Sequence, residues 1–181
     1  QDHFNYEKST LIVFRAFLDN ISDDYTATHN TIKFNGRGEN FYTYNNFNRK
    51  ISLGFKIAAQ TKEELQPLYQ KLNFLAAQTA PGYGETGRII TPYMFLTVGD
   101  WFNRLPGVLS SLNLAWQQDY VWDIDHELPQ VLDVSLNYQP IHDFIPNNSL
   151  KAPFIASALT RGTELITADL IKKKSQTVKN I

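Results

Sequence analysis

RKISLGFKIAAQTKEELQPLYQKLNFLAAQT, residues 49–79, carries the pattern on which the fold depends. In its first part Ile51, Leu53, Phe55 and Ile57 alternate with Lys50, Ser52, Gly54 and Lys56. A period of two marks a strand with one buried and one wet face. The period then changes. Thr61 followed by Glu64 matches a capping box, and acidic residues in a first turn suit the helix dipole. Leu65, Leu68, Leu72 and Leu75 fall on one helical stripe, with Tyr69 and Ala76 at its flanks. Pro81 and Gly82 close the helix. Phe74 lies on the side away from Leu65, where a monomer would place a polar residue. Pro67 sits inside the helical run, so the helix either starts near Gln66 or kinks there.

On the N-terminal side, residues 11–18 form a mostly apolar run broken by Arg15, which reads as the first strand. Residues 2–8 ahead of it read as a loose arm. Residues 20–48 are rich in Asn, Thr, Gly and aromatics, and read as exposed hairpins with short strands at 31–35 and 41–44. Gly36 and Gly38 supply the turn between those strands.

On the C-terminal side, Gly82, Gly84 and Gly87 match the spacing G-x-G-x-x-G. That motif holds a dinucleotide only where it follows a strand and opens a helix. Here it follows a helix, and no helix N-terminus remains to receive a phosphate. Residues 93–98 are apolar on both faces, as in a strand covered on both sides. Gly99-Asp100 ends that strand, and Leu105-Pro106-Gly107 reads as a turn into a strand over 108–116. In the last strand Leu132, Val134, Leu136 and Tyr138 point one way, and Asp133, Ser135 and Asn137 the other. Pro129 and Pro140 bracket it. Several strands with one central helix give an α+β domain that is mainly antiparallel β. After Pro146-Asn147-Asn148 the composition changes. A helix is expected over 163–174, ending in Lys172-Lys173-Lys174, in a solvated tail.

With 181 residues, 43% of them hydrophobic, the chain is long enough to bury a sizeable core. A net charge of −1 argues against a general nucleic-acid-binding surface. The absence of cysteine excludes disulfides, thiolate metal sites and cysteine catalysis. No window nears the roughly 20 apolar residues of a membrane-spanning helix.

Asp123, Asp125, His126 and Glu127 are the densest cluster of metal-capable side chains. They lack the glycine and ligand periodicity of a calcium loop and the second His of a zinc site, so they read as a solvated acidic turn. The histidines are scattered, and Ser110 and Ser111 lie in a predicted strand without a nucleophile elbow. The expectation is therefore a protein that is not an enzyme and holds neither cofactor nor metal. Of the tryptophans, Trp116 reads as core or rim packing. Trp101 and Trp122 sit in loops, where aromatics serve buried contacts between chains.

Taken in order, several segments are similar to a known family. They are the strand Asn48-Arg49-Lys50-Ile51-Ser52-Leu53-Gly54-Phe55-Lys56-Ile57, the helix Glu63-Glu64-Leu65 through Phe74-Leu75-Ala76, and Thr97-Val98-Gly99-Asp100. Leu105-Pro106-Gly107 and Trp122-Asp123 complete the series. Together they resemble the tail-tube-like proteins of contractile-tailed bacteriophages, in particular the baseplate proteins that initiate or cap the tube. The similarity covers residues 32–141. It implies a two-sheet barrel or sandwich flanked by one helix, with residues 1–30 as an N-terminal arm and first strand. Residues 31–145 would then form the tube-like domain, and residues 146–181 a C-terminal arm.

The resemblance also implies a role. The chain would be a virion structural protein, assembled in the host cytoplasm into a hexameric ring of the tail baseplate. Its partners would be further copies of itself and other baseplate and tail-tube proteins. DNA would pass through the ring without specific binding, and no membrane or cofactor is involved. Phe74, Ala77, Trp101 and Trp122 are the expected contacts between subunits, and Asp133, Ser135 and Asn137 the expected lining of the channel. The competing expectation is a monomeric β-sandwich module that binds a glycan or other ligand through its Tyr- and Trp-bearing loops.

Overall fold

A computed structural model describes residues 10–84, 87–149 and 152–156. The expected loose arm at 2–8 and the helix at 163–174 with its lysine end lie outside the described residues. The chain is mainly antiparallel β with one helix, α1 (Lys62–Ala77). Its strands are β1 (Ala16–Lys33), β2 (Asn40–Ala58), β3 (Gly82–Tyr83), β4 (Ile89–Ile90) and β5 (Met94–Val98). They continue with β6 (Phe102–Ala115), β7 (Trp122–Asp123), β8 (Leu128–Pro129) and β9 (Val131–Pro140). One five-stranded sheet has the order β1-β2-β9-β6-β5, and β3-β4 and β7-β8 form two-stranded sheets. The fold class is thus the expected one, built on one large sheet and two small ones.

Two compact units divide the chain: Gln1–Tyr93 with Val108–Pro140, and Met94–Gly107 with Ile141–Ile181. In the first unit, β2 pairs with β9 from Ile51↔Tyr138 to Ala58↔Val131. Opposed residues of an antiparallel pair share a face. The alternation in both strands therefore builds one continuous apolar surface, in which Ile51, Ile57, Val134 and Tyr138 are almost wholly buried. Helix α1 adds buried Leu65, Leu72 and Leu75 to this core, while Leu68 is half-buried. Each buried aliphatic or aromatic side chain contributes about 1.5–3 kcal/mol, so these two strands and the helix supply most of the driving force.

The helix starts at Lys62 rather than near Gln66, with Pro67 inside it. That proline leaves the Glu63 carbonyl without its helical donor. The capping box is not made, and Glu64 reaches one residue beyond the N-cap instead. The Thr61 side chain makes no cap hydrogen bond, and the Glu64 carboxylate accepts from the backbone N–H of Gln60 at 2.8 Å.

The N-terminal strand differs from its expected bounds. Residues 10–15 belong to no strand, and β1 then runs unbroken from the end of the expected 11–18 strand into the expected 31–35 strand. It pairs with β2 from Ala16↔Ile57 to Lys33↔Asn40. Asp19 on β1 and Asn45 on β2 are extra residues at the two register shifts. The turn between the strands uses Gly36 at φ 86°, with Arg37 N–H donating to the Phe34 carbonyl.

In the second unit, β5 pairs with the start of β6, Met94↔Gly107, Phe95↔Pro106 and Leu96↔Leu105. Leu105-Pro106-Gly107 is therefore strand and not a turn; the reversal lies at Gly99, φ 52°. Pro106 has no N–H to donate, and its carbonyl accepts from Ile141 N–H at 2.8 Å. β5 ends the strand order, so its side chains are half-buried or exposed rather than covered on both sides. His142, Phe144 and Phe154 form a three-ring cluster with centroids 5.2–5.6 Å apart.

Candidate functional site

Two surfaces of the first unit, and several exposed aromatics, carry side chains that the core does not use. The first is the sheet face opposite α1, built by the polar half of the alternation. Register places Lys56 opposite Asp133, Gly54 opposite Ser135, and Ser52 opposite Asn137. On the other side of β2, Asn20 and Ser22 stand opposite Gly54 and Ser52. Ser52 Oγ donates to Asn137 Oδ1 at 2.8 Å, and Asn137 Nδ2 donates to Ser111 Oγ at 2.7 Å. The expected trio Asp133, Ser135 and Asn137 is thus brought together on one wet face, among small neutral side chains.

The charges of that face are tied to one another. Lys56 Nζ lies 3.8 Å from Asp133 Oδ1 and 5.0 Å from the Tyr120 ring centre. Tyr120 donates its hydroxyl to both Asp133 oxygens at 3.0 and 3.1 Å, and the Gln117 amide donates to the same carboxylate. Hydrogen bonding with Tyr120, then the charges of Asp133 and Asp19, hold the Lys56 ammonium above its ordinary pKa.

The second surface is an arm. β2 pairs with β9 only from Ile51 onward, so residues 26–33 and 40–48 form a two-stranded ribbon with no third strand among the described residues. It carries aromatic side chains on both faces. One face bears Tyr25 against Phe47, 6.3 Å between ring centres, and His29 against Tyr44 at 5.4 Å. The other face bears Phe34 against Phe41 at 5.3 Å, with the Arg37 guanidinium 5.0 Å from the Phe41 ring. Tyr42 and Tyr44 are 66% and 61% exposed. A lone ribbon is marginally stable in water, and exposed contiguous apolar surface marks a site of association.

The remaining candidates are exposed aromatics and positions on α1, which the structure does not bring into one surface. Phe74 is 40% exposed and Ala77 is also on the open side of α1. Trp116 is 42% exposed rather than core, and packs edge-on against Trp122 at 5.4 Å. The Trp116 indole N–H donates to the Tyr120 carbonyl at 3.3 Å, which holds its ring at the rim of the sheet. In the second unit, Trp101 stacks on buried Phe102 with centroids 5.6 Å apart. Phe74, Ala77, Trp101 and Trp122 therefore all present surface to solvent. Ile124, 90% exposed, is an apolar contact candidate that periodicity did not mark.

The acidic turn is built differently from its expectation. Asp123 is buried, and its Oδ2 accepts from the His126 backbone N–H at 3.0 Å and faces His126 Nδ1 at 2.6 Å. The His126 side chain, opposed by burial and helped by the backbone bond, holds the carboxyl below its ordinary 3.8. Asp125 pairs with Lys62 at the start of α1. These bonds pin the β7–β8 hairpin beside the helix, where Tyr69 Oη donates to the Pro129 carbonyl at 2.9 Å. Among the described residues, no three His, Asp or Glu side chains converge as a metal would require. Gly82, Gly84 and Gly87 lie in or beside the small β3–β4 hairpin, with Gly84 N–H bonded to the Arg88 carbonyl.

A buried ion pair was not legible in the sequence. Arg49, only 3% exposed, grips Asp23 with two bonds, Nε–Oδ1 at 2.8 Å and Nη2–Oδ2 at 2.7 Å. The partners lie far apart in the chain and meet only because Tyr25 registers with Arg49 across the β1–β2 ladder. Among the described residues, no helix is long and apolar enough to cross a membrane. No known family model matches the chain, and no curated protein matches it.

Proposed function

We propose that the chain is a structural subunit that assembles with further copies of itself through the exposed arm and the open face of α1. The observation that carries this reading is the arm: a ribbon of residues 26–33 and 40–48, aromatic on both faces and without a third strand beside it among the described residues. The resemblance to tail-tube-like baseplate proteins gives the assembly its form. It is a hexameric ring joining the phage baseplate to the tail tube, bounded by other baseplate and tail-tube proteins. The small, charge-paired face of Ser52, Gly54, Asp133, Ser135 and Asn137 suits the wall of a channel through which DNA slides without being held. The proposed place of action is the virion tail, the role is not enzymatic, and no cofactor takes part.

Light scattering with size exclusion, and negative-stain imaging of the concentrated protein with tail-tube components, test the reading. Rings or tube ends containing the chain are the expected outcome. A monomer under both conditions, together with absence from any tailed particle, overturns it.

The exposed Trp116–Trp122 pair favours a second reading, a monomeric module that lays an apolar sugar face on the two indoles. Saturable quenching of tryptophan fluorescence by an oligosaccharide, lost in Trp122→Ala, would replace the first reading with this one.

A further inference from the structure

We propose that Asp23, Tyr25 and Arg49 form a rigid root that fixes the direction in which the arm leaves the sheet. The last rung of β2 that β9 covers is Ile51↔Tyr138. Arg49 is the next residue on the core face, opposite Tyr25, and Asp23 is opposite Ile51. The three side chains therefore occupy the junction where the five-stranded sheet gives way to a two-stranded ribbon.

Their contacts are planar and directional. The Arg49 fork binds both carboxylate oxygens of Asp23, and Tyr25 Oη donates to Asp23 Oδ2 at 2.8 Å. The guanidinium carbon lies 4.9 Å from the Tyr25 ring centre, and Phe47 packs on that ring from the next core-face position. On the opposite face, Gln139 Nε2 donates to Asn48 Oδ1 at 2.9 Å and ties the same junction to β9. A lone ribbon twists and bends freely about its base. A bidentate Arg–carboxylate pair with a stacked ring removes that freedom, because its strength depends on the geometry being kept. A buried pair adds little net stability over apolar groups of the same size, so orientation is the gain it offers here. An arm fixed this way meets any partner with its ordering entropy already spent.

This inference concerns the isolated chain and stands apart from what the arm touches. The protein has no cysteine, so spin labels can be placed at Lys33→Cys near the end of the ladder and Ser135→Cys on the sheet. Pulsed electron resonance on the full chain should give one narrow distance. The double variant Asp23→Leu/Arg49→Leu, with its folded core confirmed by near-ultraviolet circular dichroism, should lose that single distance and give a broad distribution. Hydrogen exchange at residues 26–33 should accelerate while residues 51–58 stay protected. A narrow distribution at the original distance in the double variant overturns the proposal. Should the double variant lose its core, Arg49→Lys decides, since it keeps the charge and loses the fork. A broadened distance supports the root, and an unchanged one overturns it.

Discussion

Residues 49–58 of β2, with 16–25 of β1 laddered along them, belong to the half of the β1–β2 ladder that reaches the core, whereas residues 26–33 and 40–48 of the same ladder have no third strand beside them among the described residues. The two halves share a pairing pattern and an alternation of side chains. They differ in what lies beside and beneath them. The inner half has β9 along β2 and the leucines of α1 against its apolar face, so Ile51 and Ile57 have no exposed surface. The outer half has neither, and leaves Tyr42 and Tyr44 largely in solvent. Strand formation is thus separable from burial. The inner half stabilises this chain, and the outer half holds apolar surface for another.

Substitutions placed across this divide should give very unequal effects. Arg49→Met at the boundary leaves the Asp23 carboxylate buried without its cation and should cost about 3–5 kcal/mol, read as a fall in the urea midpoint. An unchanged midpoint would mean that Asp23 reaches water. Leu72→Ala, on the buried side of α1, should cost about 2–5 kcal/mol in the same titration. A loss below about 1 kcal/mol would place that helix face outside the core.

The pH dependence tests the two anchored clusters. The Asp123 carboxyl is held below 3.8 by His126, so its stabilising effect is full above that value and is lost as pH falls through the depressed one. Asp123→Asn should flatten the acid limb of the melting temperature. Burial, then the bond to Asp23, raises the Tyr25 hydroxyl well above its ordinary 10.0. Its stabilising effect is present below pH 10 and declines as pH rises beyond it, because the unfolded chain ionises first. Tyr25→Phe should remove that alkaline decline, which a fluorescence melt at rising pH would register.

The smallest effects on the monomer belong to the open surfaces. Tyr42→Ser with Tyr44→Ser, and separately Phe74→Asp, should change stability by no more than about 0.5 kcal/mol. The same variants should abolish or weaken ring formation in the imaging assay. A large loss of stability in Phe74→Asp would instead make that ring part of the core.

The alternation over 51–57 and 132–138, and the leucine stripe of α1, were legible because each residue's neighbours in sequence set its face. The same alternation marked Asp133, Ser135 and Asn137 as a polar row, and the helical phase marked Phe74 as outward. Other features were hidden for a physical reason. β1 is rich in Asn, Asp and Thr, whose local preferences favour turns, and only its ladder with β2 holds it extended for 18 residues. Leu105-Pro106-Gly107 has turn chemistry and is overridden by pairing with β5. Trp116 has the hydrophobicity of a core residue, but it follows the last residue of its strand and packs at the rim against Trp122.

What the order of residues settled, then, was the α+β class, the core faces of two strands and one helix, and the polar face on the other side of those strands. What tertiary structure decided was where the core ends. The burial of Asp123, the meeting of Arg49 with Asp23, and the emergence of the arm all depend on which strand lies beside which. Such contacts join residues far apart in the chain, and no local periodicity encodes them.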